Sequence, residues 1–401
     1  MGRYRFGLAV ILGLACAFGA RAETWSGTKS FDADATIVDA VTLDGTVEVT
    51  VGSGKTVTLQ GTVSDGTSAG RIVLTGGGTL QLASANSFTG GAYVDTGLLQ
   101  VLTGGALGTG AVTVKGGTAA LSQLQFGPLD VDATKNLTIT FANDLVVENA
   151  GDANHCQIKY GPHAENGKRQ SLKLTGSLTS AADLYFSVDA SKQYSTAGSN
   201  LKLTLGAVTV AGGIFFDRVT IPTTFAGKAD CDSIAWTANG GATMTFNSSE
   251  NRIGRLDAFG ASIVCGANNA LGGAAVVGTT GSNVAELTLA GYSQVLASLE
   301  LPAPKSYITS ATSGTLTLTG GVASACCKGE LRNSLALTLD AGNADFVQTF
   351  SDATHTLTGP ITVKEGTLRF DGATTLANVA DLAVEGGRFV LDTTASCPVS
   401  W

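Results

Sequence analysis

Three histidines, seven cysteines and scattered acids are the side chains from which this 401-residue chain would build catalysis or metal binding. His155, Cys156 and His163 share one short segment. As metal ligands they would need a fourth donor and a dry shell that orients them. The segment Asn154–Gln170 is polar, of mixed charge and interrupted by Pro162. It reads as a solvated loop projecting from the body of the protein. His355 sits beside a strand start and is expected to be partly exposed. With three histidines a Ser-His-Asp hydrolase has few candidates, and no nucleophile-elbow step is picked out. There is no Cys-x-x-Cys pair, so a zinc or redox motif has nothing to rest on. The acids Asp144, Asp183, Asp217, Asp257, Asp340 and Asp345 stand singly. Asp230-Cys231-Asp232 is the closest pair and is expected in a solvated turn. The two carboxylates would share a face only if that segment were a strand. No catalytic, cofactor-binding or metal residue is therefore assigned, and no cofactor is expected.

Cys156, Cys231, Cys265, Cys326, Cys327 and Cys397 follow an N-terminal segment that contains Cys16. Their spacing forms no disulfide framework, and the adjacent Cys326 and Cys327 would bond each other only with strain. Buried free thiols are the expected state. One or two disulfides are the alternative an oxidising compartment permits.

Residues 1–22 have the form of a secretory signal peptide. Arg3 and Arg5 supply the positive start, Gly7 to Gly19 is uncharged and apolar or small, and Ala20-Arg21-Ala22 precedes a cut before Glu23. Lipidation at Cys16 is a weaker reading. Without residues 1–22 the chain has 21 basic and 32 acidic residues, a net charge of −11. That balance disfavours nucleic acid, whose phosphates attract Lys and Arg clusters. The uncharged stretch Ala258–Ala285 is too rich in Asn, Ser and Gly to span a bilayer, and is expected to be buried β-structure.

Any functional group must ride on short alternating runs. Thr56–Gln60, Ala111–Val114, Asn136–Thr140, Thr315–Thr319 and Thr367–Phe370 alternate polar and apolar residues, the period of a strand with one buried face. Glycines, 53 in all, punctuate these runs in pairs or Asx-Gly steps. Ile361–Phe370 and Leu382–Leu391 align without a gap, matching Val363 with Val384 and Gly366 with Gly387. A strand-rich repeat of this length buries its face only by stacking on neighbours. The expected fold is all-β: a right-handed parallel β-helix, or β-solenoid, spanning residues 23–401 as one domain. About 20 residues per coil implies some 17–19 coils. Glu300–Tyr307 and Ala190–Asn200 are expected as projecting loops. Thr and Asn are expected to stack in polar ladders along the rod.

Gly76–Val101 reads GGGTLQLASANSFTGGAYVDTGLLQV and resembles the autotransporter-associated β-strand repeat. The likeness is carried by Gly78, Thr79, Leu80, Leu82, Ala85, Asn86, Phe88, Thr89, Gly90, Gly91, Val94, Gly97, Leu99 and Val101. Asn269–Gly273 and Gly314–Gly321 echo parts of it. The resemblance implies an exported, non-enzymatic surface passenger with an adhesin-like role and an unidentified surface glycan or protein as partner. The repeat pattern still runs at Thr356–Leu391, so two expectations stand: a barrel-less member of the repeat family, or a fragment with an outer-membrane barrel encoded downstream. The alternative on the same scaffold is a polysaccharide lyase or glycosidase, which needs paired acids in a groove.

Overall fold

The computed structural model describes residues 22–127, 137–161, 170–188, 202–217, 221–236, 243–257, 260–278, 285–321, 324–372, 374–376 and 378–392. Among them the protein is all-β, with parallel strands stacked as a β-solenoid of about 14 turns. No helix of the described residues is long and apolar enough to cross a membrane.

The alternation in the sequence is the alternation of burial. In Thr56–Leu59 and Arg71–Thr75 every second side chain is buried. The inward residues of successive coils meet in register. Val47 pairs with Ile72, Ile72 with Ala92, and Ala92 with Val112. A second column runs Val57, Leu80, Leu99, Leu124, Ile158, Phe186 and Phe216. A third column begins with Glu23–Trp25, Val41–Leu43 and Val63–Asp65, and its strands resume at Leu137–Phe141 and run through Gln170–Leu174, Leu203–Leu205, Thr223–Phe225 and Thr243–Phe246. All three enclose one continuous apolar core.

Long coils in the middle of the rod correct the coil count. The step along the chain from Ala92 to its partner Val112 is short, whereas the steps from Val112 to Leu145 and from Leu145 to Leu178 are much longer. The middle coils hold more residues, so fewer coils fit than a uniform short repeat implies. At about 4.8 Å per coil, 14 turns make a rod of roughly 65–70 Å. The offset between Ile361–Phe370 and Leu382–Leu391 is a true coil step, since Ile361 pairs with Leu382 and Thr367 with Arg388.

The motif residues have structural work. Phe88 is wholly buried. Gly91 has φ +77°, and a Cβ there would strike the Ala111 carbonyl of the next coil, so no other residue fits. Asn86 Oδ1 accepts the Val63 N–H at 2.8 Å while its Nδ2 donates to the Ala106 carbonyl at 2.6 Å. One amide thus ties three coils at a corner. Asn251 repeats the device, accepting from Ala229 N–H at 2.7 Å and donating to the Ala270 carbonyl at 2.6 Å.

Polar ladders exist, but one is built of glutamine. Thr58, Gln81, Gln100 and Gln125 occupy one register position. Thr58 Oγ1 donates to Gln81, Gln81 Nε2 to Gln100 at 2.7 Å, and Gln100 Nε2 to the Gly127 carbonyl at 2.9 Å. Asparagine works at corners instead, where its shorter side chain reaches backbone. Thr50 and Thr75 form a hydroxyl step at 2.9 Å.

Two expected loops belong to the core. Ile158–Tyr160, inside the polar segment Asn154–Gln170, is a strand whose Ile158 and Tyr160 are wholly buried. The reason is the column: Ile158 must fill the space between Leu124 and Phe186. Between Glu300 and Tyr307 the chain leaves the strand, but Leu301, Ala303 and Ser306 are buried, so this connection packs inward. Ala190–Asn200 lies outside the described residues.

Candidate functional site

The residues singled out for chemistry do not converge. His155 Nδ1 lies 3.0 Å from Asp152 Oδ1, an oxygen that also accepts the Asn154 and His155 N–H groups at 2.8 Å. The Asn154 N–H, then the His155 ring, hold the Asp152 carboxyl below its ordinary range. This is a turn closed by a carboxylate, as Asx residues close turns elsewhere. Cys156 is buried outside the apolar core, with Gln123 Nε2 at 2.9 Å from its sulfur and Ser187 Oγ at 3.3 Å. Burial pushes its thiol up, away from the thiolate that a metal or nucleophile needs. His163, Cys16, Cys397 and nearly all of the signal segment lie outside the described residues. Among the described residues no three His, Cys, Asp or Glu side chains are grouped to hold a metal ion.

The five described cysteines are free; Cys326 is exposed and the other four are buried. Burial pushes Cys231, Cys265 and Cys327 up to about 12. They behave as small apolar core residues.

His355 is not partly exposed. It is wholly buried in the strand Thr354–Leu357, because the strand's period turns it inward against Phe350 and Phe370 at 5.8 and 5.2 Å. Its Nδ1 accepts the Leu331 N–H at 3.1 Å, and its Nε2 has no hydrogen-bond partner. Burial lowers its pKa from 6.5 to about 4. The unfolded chain therefore binds the proton more readily than the folded one. Its contribution is full above pH 6.5 and is lost as pH falls toward 4. Urea unfolding at stepped pH is expected to show a loss of roughly 3 kcal/mol across that window. His355→Gln keeps an acceptor for Leu331 without titrating, and is expected to remove this part of the slope.

Two of the single acids, Asp144 and Asp183, hold turns between coils. Asp144 accepts the Ser177 N–H at 2.8 Å and hydroxyl at 2.7 Å, which lowers its pKa, the hydroxyl contributing most. Asp183 accepts the Gly213 N–H at 2.8 Å. Asp65 takes the N–H groups of Thr89 and Gly70, which lower its pKa in that order. Asp65 also closes the turn that carries Gly66-Thr67-Ser68-Ala69-Gly70. This string has Gly-x-Ser-x-Gly spacing that the reading of motifs along the chain missed. Its serine is exposed in a bend with no helix after it, whereas a nucleophile elbow needs a strand-to-helix turn.

Asp230-Cys231-Asp232 is the exception, and its expected turn is corrected. It lies within the strand Ala229–Trp236, where Cys231 is buried and both aspartates face outward. The strand is forced because Ala229 stacks on Val208 and Ser233 on Gly213, so it crosses the corner between two columns. Along this corner runs an open groove of 640 Å³, bordered by Thr209, Asp230, Asp232, Arg252, Gly254 and Gly273. Lys228 pairs with Asp230 at 2.7 Å. Asp232, Arg252 and Gly254 are exposed. Arg252 stands beside Asp230 in register. Gly254 and Gly273 present no side chain to the groove. It has two carboxylates and a guanidinium on a wide, wet surface, an arrangement able to hydrogen-bond a polyol. The signal that could have found it is Arg252-Ile253-Gly254-Arg255, a strand whose outward positions hold charge and glycine. Comparison with known proteins finds no matching family model, no matching curated protein and no matching solved structure.

Proposed function

We propose that this chain is an exported, non-enzymatic β-solenoid, displayed at a cell surface as an adhesin-like rod. The observation that carries the reading is the use made of the chemically capable residues. His355 and four of the five described thiols are buried, and Asp65, Asp144 and Asp183 hold turns between coils. The scaffold commits its polar groups to stacking, and a stiff stack is suited to holding a binding face away from its anchor. The signal-like residues 1–22 and the autotransporter-repeat resemblance of Gly76–Val101 support export, with residues 23–401 as the displayed region.

A polysaccharide lyase or glycosidase is the competing reading, favoured by the groove at Asp230 and Asp232. The deciding experiment incubates the purified chain with neutral and acidic polysaccharides and measures reducing ends and unsaturated products. No release above a boiled control is expected. Release that disappears in Asp232→Asn would overturn the non-enzymatic reading.

A further inference from the structure

Beside the groove, the outer face of the second column carries an aromatic step. Tyr185 and Phe215 are register partners, half-exposed, with rings stacked at 4.7 Å and 16°. The next positions in their row are Ala235 and Asp257, and the row two residues earlier runs Gly213, Ser233 and Arg255. In these two rows the coil after Phe215 therefore presents only Ser233 and Ala235. The coil beyond raises an exposed Arg255 and a half-buried Asp257. The Phe215 ring leans back over Gly213, where a Cβ would lie 2.8 Å from it. The levels of Phe215 and Arg255/Asp257 are two coils apart, roughly 9–10 Å. A ring stacked on Phe215 at one coil spacing would fill the empty level. Ser233 is followed toward the corner by Asp232, so this step continues into the groove.

We propose that step and groove together bind a neutral hexopyranose glycan. One sugar would lay its C–H face on Phe215 and direct hydroxyls to Arg255 and Asp257. Neighbouring sugars would follow the corner past Asp232 and Arg252. An apolar wall with a few convergent polar groups is the usual composition of a small-ligand site. Tyr185 pins the Phe215 ring from behind, which lowers the ordering cost of stacking. Neutrality follows from the balance of charge. Lys228, Arg252 and Arg255 are matched in number by Asp230, Asp232 and Asp257, and Lys228 already holds Asp230. A strongly charged chain gains nothing there, whereas hydroxyls both donate and accept. The inference rests on the reading of the chain as a displayed binder.

The test is native gel electrophoresis of the full chain in gels cast with a soluble β-glucan, a mannan or polygalacturonate. Retardation is expected in at least one neutral gel and not in polygalacturonate. Binding should weaken at least tenfold in Phe215→Ala and in Arg255→Ala. Ala235→Phe continues the aromatic stack into the empty level, removes no group, and should abolish retardation while leaving thermal unfolding unchanged or raised. Unchanged mobility in every neutral gel, retention by polygalacturonate alone, or retardation that survives Phe215→Ala and Ala235→Phe would overturn the proposal. Failure here leaves export untouched, because export is read from the location and N-terminus of the native chain.

Discussion

Gln348→Leu is expected to cost about 2–5 kcal/mol of stability in urea unfolding. The described strands form a 34-stranded sheet and a separate four-stranded one, and the latter begins at Ala325–Cys327. Where the ladder from Gln294–Glu300 stops, Gln348 bridges the break. Its side chain is wholly buried. Its Oε1 accepts the Leu299 N–H at 3.2 Å, and its Nε2 donates to the Leu299 carbonyl at 3.0 Å. The amide copies the donor and acceptor of a missing strand. Leucine fills much of the same volume but leaves both Leu299 groups dry and unpaired, which is the costly case for a buried polar group. Hydrogen exchange at the Leu299 amide should quicken in the variant. A loss below about 0.5 kcal/mol, the size of an ordinary surface substitution, would show that water or a shift of the backbone satisfies those groups instead.

Phe216→Ala is expected to cost about 3–5 kcal/mol. Phe216 is wholly buried and sits in one inward row with Phe186 and Trp236, at 5.9 and 5.0 Å, while Phe225 from the third column meets it edge-on at 6.0 Å. Removing the ring opens a cavity at the point where two columns interlock, and neither neighbouring coil can collapse without breaking its ladder. In a solenoid each coil contacts only its neighbours, so the damage should be local. Hydrogen exchange is expected to rise over Leu184–Trp236 and to stay protected over Val41–Val101. Phe216→Leu, which leaves a smaller void, should cost clearly less. Equal loss of protection along the whole rod would contradict the picture of stacked, nearest-neighbour units.

The fold was legible because period two and the glycine punctuation are local signals. Val57 and Leu59, or Val363 and Val384, announce an inward face and its repeat without any knowledge of distant contacts. The third column was legible at Asn136–Thr140 but not along its later course. Its strands Leu203–Leu205 and Thr223–Phe225 are only 3 residues long, too short to show a period, and their inward residues are defined only by the coils above and below. Tyr160 and His355 were misplaced for the same reason. A polar neighbourhood in sequence says little once a register position requires a side chain to turn inward. Asn86 was visible as part of a motif, but its bridge across three coils appears only when Val63 and Ala106 are brought to it. The groove was hidden because Asp230, Arg252 and Gly273 come from three successive coils and only stacking brings them side by side.

The glycine and aromatic placements also show why composition misleads about chemistry. A chain with 14% charged residues and −11 after residue 22 still assembles a local patch of Lys228, Asp230, Asp232, Arg252 and Arg255. Stacking concentrates what the sequence disperses.

The central claim is that this rod is displayed outside the cell. The most direct measurement is on the native source: protease shaving of intact cells, with mass spectrometry of the released peptides and of the N-terminus of the recovered chain. Surface-released peptides from Glu23 onward and a mature chain beginning at Glu23 are the expected result. A chain that retains residues 1–22 and stays protected until the cells are broken would contradict it.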